Sequence, residues 1–232
     1  MTTSQIWKHR LYILQRMGLK AGYKLLGKLN VRMQPQEFFY IKAGYHHAVS
    51  AESFDATGST DEFQRSVYEL AASLAGKFDN TSVLDVGCGS AYKLIHMLGS
   101  YDTLGMEVEP AYSWLRRKYP DRKWLFYNSS QIHKLEADIV ICADVIEHIQ
   151  NPDEMMNFLW GINFSYLILS TPERDRLSDK NDYGPPVNTS HYREWNSMEF
   201  KTYVSQWFTV EDHHVFNDRS ITQVAVCSKK IL

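Results

Sequence analysis

The stretch Val83-Leu84-Asp85-Val86-Gly87-Cys88-Gly89-Ser90-Ala91 narrows the possible folds of this chain more than any other. An apolar run enters a turn in which two of three residues lack a side chain, and a helical pattern follows. Glycine admits left-handed backbone and lets a ligand approach the main chain closely. The helix that follows presents unpaired N–H groups to a polar or anionic group. Glu107 ends a second apolar run, Gly105-Met106-Glu107, 22 residues beyond Asp85. An acidic residue about 20 positions on is where doubly wound sheets hold nucleoside ribose hydroxyls. The third glycine of a dinucleotide fingerprint is missing, because Tyr92 stands there. A pyrophosphate would meet that ring, so the site suits a nucleoside without phosphates. Asp85 can then hold the ammonium of an amino-acid moiety, directly or through water.

The rest of the chain supplies the sheet. Apolar runs at Ser82–Val86, Thr103–Glu107, Lys123–Tyr127, Asp138–Cys142 and Tyr166–Ser170 alternate with helical patterns near Ala91–Leu98, Pro110–Lys118 and Asp144–Trp160. Short apolar strands with helical crossovers predict a parallel sheet covered on both faces. A helix near Ser197–Gln206 precedes Phe208–Phe216 and Ile221–Ser228, which read as an antiparallel hairpin joined at Asn217-Asp218. The predicted class is α/β: a doubly wound, mostly parallel seven-stranded sheet with an antiparallel C-terminal strand. Residues 1–78 are expected to form an N-terminal helical cap and 79–232 the ligand-binding domain. Within the cap, one or two short amphipathic helices are predicted over 5–30, and a helix over Asp61–Lys77 with Thr60 as its N-cap.

Charge is unevenly placed. Residues 1–36 carry seven basic and no acidic side chains, so in a chain of net charge −2 the remainder carries −9. No apolar run reaches the roughly 18 residues of a membrane span. Cys88, Cys142 and Cys227 have no metal-ligand spacing and read as buried thiols, which points to a reducing cytoplasm.

In order and spacing, VLDVGCGSA, LGMEVEP, ADIVICADVIEHIQNP and YLILSTPERD resemble the motifs of class I S-adenosylmethionine (SAM)-dependent methyltransferases over about residues 80–172. The resemblance implies SAM as methyl donor and S-adenosylhomocysteine (SAH) as product. It implies cofactor contacts for Asp85, Gly87, Gly89, Glu107 and Asn128, with Ala143 and Asp144 lining the methionine side. Ala91 stands where the family often has a third glycine, and Asn128 where it often has an aspartate. GPPVNTSHYREW followed by NSMEF resembles the segment before the last helix in bacterial methyltransferases of glycan and surface-polysaccharide pathways. That implies O-methylation of a sugar or sugar-linked metabolite.

Methyl transfer from a sulfonium is an in-line displacement. An enzyme aligns the nucleophile and, for a hydroxyl, removes its proton. The candidates for that work are Glu147, His148 and His191, the last at the end of a long polar connection, Glu173–Thr189, that contains Gly184-Pro185-Pro186. Such connections are often lids or binding loops, and this one should return His191, Tyr192 and Arg193 to the substrate mouth. If Asp144 opens a helix, Asp144, Glu147 and His148 share one face. With His191 they resemble the E-x-x-E-H…His metal site of small-RNA 2′-O-methyltransferases, which implies a divalent cation beside the acceptor hydroxyl. Three alternatives remain at this point: a sugar or glycan acceptor, an RNA ribose disfavoured by the acidic domain, and a SAM-binding subunit without catalysis. The basic N-terminal segment is expected to cap the domain and cover the cofactor, or else to touch a membrane surface or dock a partner.

Overall fold

The computed structural model describes residues 38–128, 135–178, 180–217 and 221–230. The helices expected over 5–30 lie outside the described residues, as does Asp218 of the expected hairpin turn. The sheet contains seven strands: β1 Ser82–Val86, β2 Asp102–Glu107, β3 Lys123–Phe126, β4 Glu136–Ala143, β5 Asn163–Pro172, β6 Phe208–Val215 and β7 Thr222–Lys229. Their order is β3-β2-β1-β4-β5-β7-β6. Strands β1 to β5 pair in parallel, and β7 runs antiparallel to both β5 and β6. The fold is therefore the expected mostly parallel seven-stranded sheet. The chain winds outward from β1 to β3, then crosses back to β4 beside β1. A crevice opens at that reversal, beyond the carboxyl ends of β1 and β4.

Alternation along the strands sorts the core into two layers. Val83, Ile139, Ile141 and Ile168 face helices α1 (Arg65–Ala75), α2 (Tyr92–Leu98) and α3 (Ala111–Lys118), meeting Val67, Leu74, Leu94 and Leu115. Leu84, Val140, Cys142, Leu167 and Leu169 face the other way, toward α4 (Pro152–Gly161) and α6 (Ser197–Trp207), where Met156, Phe158 and Phe200 pack. A short helix, α5 (Arg174–Leu177), follows β5. All three cysteines are free and buried in these layers, as expected. Among the described residues no helix is long and apolar enough to cross a membrane.

Two expected helices differ from the structure. The one over Asp61–Lys77 is regular only from Arg65, because Gln64 takes a left-handed backbone (φ 64°). Thr60 does not cap it. The Thr60 carbonyl instead accepts from Lys93 Nζ at 2.9 Å, which pulls residues 59–64 against α2. The helix over Asp144–Trp160 is broken. Asp144 is left-handed (φ 53°), Ile146–His148 form one 3-10 turn, and α4 restarts at Pro152. Proline is preorganised for a first helical position, and its ring disfavours helical backbone at Asn151.

One buried polar cluster anchors the C-terminal half. Arg174, fully buried, makes a two-pronged contact with Glu199 (2.6 and 2.9 Å) and donates to the Glu194 carbonyl. Glu199 also closes a capping box with Asn196 at the start of α6. Glu199→Ala should therefore leave a buried guanidinium short of a partner and lose the cap. The expected destabilisation in urea denaturation is about 3–5 kcal/mol. A loss below about 1 kcal/mol would show that the pair does not hold the segment.

Candidate active site

A cavity of about 1000 Å³ occupies the crevice at the β1–β4 reversal. The walls at one end come from three places that the sequence identified. Gly87 (φ 78°) and Gly89 (φ 57°) both need left-handed backbone, and a Cβ on Gly87 would lie 2.5 Å from Val145. That clash gives Gly87 a second reason to be glycine. Glu107 Oε1 accepts from the Gly89 amide (2.9 Å) and Oε2 from the Val108 amide (2.7 Å). Burial raises the Glu107 carboxyl above its usual range, and the two amides oppose that rise. Its side chain is thus fixed at the cavity edge with lone pairs left for hydroxyl donors. Ala143 and Asp144 line the opposite wall. The Ala143 carbonyl accepts from Gln64 Nε2 (3.2 Å) and Asp144 Oδ1 from Ser170 Oγ (2.6 Å).

Asp85 lies just behind this wall, fully buried on the α1 side of β1. Its Oδ2 accepts from the Tyr68 hydroxyl (2.8 Å), while Oδ1 is buried without a hydrogen-bond partner. Burial pushes its carboxyl up to about 7, with Tyr68 and Lys93 pulling down and Glu107 adding to the rise. An orphaned carboxylate oxygen there suits a cationic group. Asn128 is exposed past the end of β3, and Tyr127 is the residue of that strand end that lines the cavity. Tyr68, Gln64, Val145 and Tyr127 escaped the sequence reading. Only Tyr68 left a signal, a hydroxylated aromatic on the apolar face of α1.

At the other end of the cavity stand Glu147, His148 and His191, one ligating atom from each lying within 4.8 Å of the others. Chain segments distant in sequence meet there. The Tyr192 amide donates to the Glu147 carbonyl (2.8 Å), and residues 46–52 are laced to 183–192 by His46 N to Tyr183 O, Ala48 N to Tyr192 O and Glu52 N to Thr189 O. His191 and Tyr192 reach the cavity, as expected of a loop returning to the mouth. Arg193 does not. It is 2% exposed, packs over Phe39 (4.6 Å) and donates to the carbonyls of Ile149 and Gln150, so its role is to fasten the segment. Trp195 is buried against Tyr203.

The protons in this cluster follow from its partners. His148 Nδ1 faces the Ser190 carbonyl (2.9 Å), so that nitrogen carries the hydrogen and Nε2 keeps a lone pair. Burial, then neighbouring His191, pushes the His148 imidazole down to about 4, leaving it neutral. His191 Nδ1–H faces Glu194 Oε1 (2.8 Å), and its Nε2 accepts from Asn188 Nδ2 (3.0 Å). Glu147 accepts from Thr171 Oγ1 (3.1 Å) on Oε2, and its Oε1 is buried without a hydrogen-bond partner. Burial and then Asp144 drive the Glu147 carboxyl well above its usual range. Two imidazole lone pairs and an orphaned carboxylate oxygen form a mixed N/O set that fits a divalent cation. The acceptors on both Nδ1–H groups are the outer partners such ligands use. Asp144 stands apart from this group, because its left-handed backbone takes it off the face that a continuous helix would have given it.

Residues 60–224 match the family described as "Methyltransferase domain", and the chain belongs to it. The chain carries a SAM-dependent methyltransferase domain with the class I Rossmann-like fold. It is 27% identical over 168 residues to a small RNA 2′-O-methyltransferase of Rattus norvegicus; the match takes in 60% of this chain and 41% of that protein. Among solved structures it resembles magnesium protoporphyrin IX methyltransferase of Synechocystis PCC 6803 with bound SAH (TM-score 0.56, 17% identity, 72% of this chain and 83% of that one). A small RNA methyltransferase is also similar (TM-score 0.51, 20% identity), with 79% of this chain covering 27% of that one.

The raised Asp85 carboxyl gives a pH test. From the unfolded-state value near 4 up to about 7 the folded protein binds the extra proton, so this group's contribution to apo stability falls as pH rises through that window. Cofactor binding runs the other way, since only the ionised carboxylate attracts a cationic ligand. SAM affinity by calorimetry should climb between pH 6 and 7.5, and Asp85→Asn should flatten the slope. A wild-type affinity independent of pH over that range would place the ammonium elsewhere.

Proposed function

We propose that this methyltransferase methylates a hydroxyl of a sugar or sugar-linked metabolite, with a divalent cation held by Glu147, His148 and His191 beside the acceptor. The convergence of those three side chains at the far end of the cofactor cavity carries the reading. When bound, the cation supplies a lowered pKa to the hydroxyl that it ligates. The chain's own residues do the rest. Glu107 and the Gly87–Gly89 turn orient the cofactor, and Asp85 offers its unpaired oxygen toward the ammonium side. Ser190 and Glu194 fix the two imidazoles so that their lone pairs face inward. His191 Nε2 now accepts from the Asn188 amide and would have to give up that hydrogen bond to hold a cation. Pockets enclosing one small ligand measure about 300–1,000 Å³, so a cavity at the upper end accommodates the cofactor and a sugar-sized acceptor. Three buried free thiols support a reducing compartment such as the cytoplasm.

The similarity to a small RNA 2′-O-methyltransferase favours a second reading, a ribose 2′-hydroxyl of an RNA. The charge of −9 outside residues 1–36 weighs against a phosphate-binding groove.

Labelled SAM incubated with simple glycosides and a short RNA, each with and without EDTA, separates these readings. The expected result is label on a glycoside hydroxyl, lost in EDTA and restored by Mg²⁺ or Mn²⁺. Label on RNA selects the second reading, and full transfer in EDTA removes the cation. His148→Ala and His191→Ala should each lower kcat by on the order of 10²-fold or more while SAM affinity stays near wild type. Normal turnover in both variants would reduce them to packing residues.

A further inference from the structure

Large apolar side chains left exposed among the described residues gather around one opening. Of nine such residues, five line the active-site cavity: Phe54, Phe63, Val108, Leu177 and Val187. Two belong to its cofactor end, since Val108 follows Glu107 and Phe63 precedes Gln64, which bonds the Ala143 carbonyl. The other three, 42–57% exposed, line the same cavity on segments next to the Glu147, His148 and His191 cluster. Phe54 stacks on the His148 ring (centroids 5.2 Å apart, planes 21°). Val187 precedes Asn188, whose amide donates to His191. Leu177 ends α5, which starts just past Thr171, the hydroxyl donor to Glu147.

Single exposed apolar residues are ordinary, but three at the mouth of one cavity form a patch that binding would desolvate. A cofactor seated across Glu107 and the Gly87–Gly89 turn leaves them uncovered. A free sugar can lay a C–H face on one ring such as Phe54, but it has too little apolar surface to cover all three. We infer, on the reading that the acceptor hydroxyl sits at Glu147, His148 and His191, that the acceptor carries its sugar on an apolar chain, and that Phe54, Leu177 and Val187 bind that chain. The sugar reaches the polar floor of the cavity while the chain leaves across the rim. The enzyme would thus select for an amphipathic glycoside over the free sugar.

Methyl, hexyl and octyl β-D-glucopyranosides, kept below micelle-forming concentrations, test this on the full chain saturated with SAH. Each buried methylene can tighten binding by up to about fourfold. By calorimetry the octyl compound should therefore bind at least about tenfold tighter than the methyl one, even with partial burial. A Leu177→Ser, Val187→Ser double variant should lose most of that chain-length dependence while its SAH affinity and Tm stay unchanged. Equal affinities for the methyl and octyl compounds, or an undiminished dependence in the double variant, would overturn the inference. Transfer from labelled SAM is read separately. Failure to label any glucoside would count against the sugar-hydroxyl reading, whereas the chain-length dependence reports on the rim alone.

Discussion

The hydrogen bond from the Tyr192 amide to the Glu147 carbonyl holds the active end of this molecule together. It joins the turn after β4 to a segment that the chain reaches only after β5, α5 and a long connection. Together with the hydrogen bond between His148 Nδ1 and the Ser190 carbonyl, that junction sets His191 beside His148. The junction is secured from outside by groups that take no part in chemistry. Arg193 grips the carbonyls of Ile149 and Gln150, and Arg174 ties Glu199 to the Glu194 carbonyl. Trp195 donates to the Phe39 carbonyl. A rigid outer frame of this kind lets a few loop-borne ligands hold their geometry.

The same frame buries an acidic group where its ionised form is costly. Glu147 is fully buried with one oxygen lacking a hydrogen-bond partner, beside two imidazoles and within the field of Asp144 and Glu194. Burying a carboxylate without compensation costs several kcal/mol, and proteins normally avoid it. On the proposed reading, a divalent cation there would offset that penalty and engage both imidazole lone pairs. Asp85 poses the same problem at the cofactor end, with Tyr68 satisfying one oxygen and the other left over. An unpaired carboxylate oxygen thus lies near each end of the cavity, Glu147 in its lining and Asp85 just behind its wall; on the proposed reading a cation would answer the first and the cationic cofactor the second.

Much of the fold was legible because its signals are local. Apolar runs of strand length separated by helical spacings define a parallel sheet, and two glycines with Glu107 mark one wall of the cavity. The helix assigned from Asp144 was misread because Ile146 and Ile149 continue an apolar spacing past the actual break. Asn151-Pro152 marks the true start of α4, and that signal was present. The start of α1 was legible only in part, since residues 59–64 are drawn to α2 by Lys93 and Ser90, contacts that no local pattern encodes. The site followed the same division. Glu147, His148 and His191 could be named from residue type and order, but the exclusion of Asp144 depends on one left-handed residue. The lacing of 46–52 onto 183–192 is wholly tertiary, so Phe54 and the apolar rim had no sequence signature.

The central claim is that Glu147, His148 and His191 are a cation site built into the acceptor end of a methyltransferase cavity. Titrating Mn²⁺ into the SAH-saturated protein and following the free ion by electron paramagnetic resonance tests that claim without any acceptor. The account predicts saturable binding of one ion per chain, abolished in Glu147→Gln and in His148→Ala while SAH still binds. No stoichiometric site, or one that survives both substitutions, would contradict it.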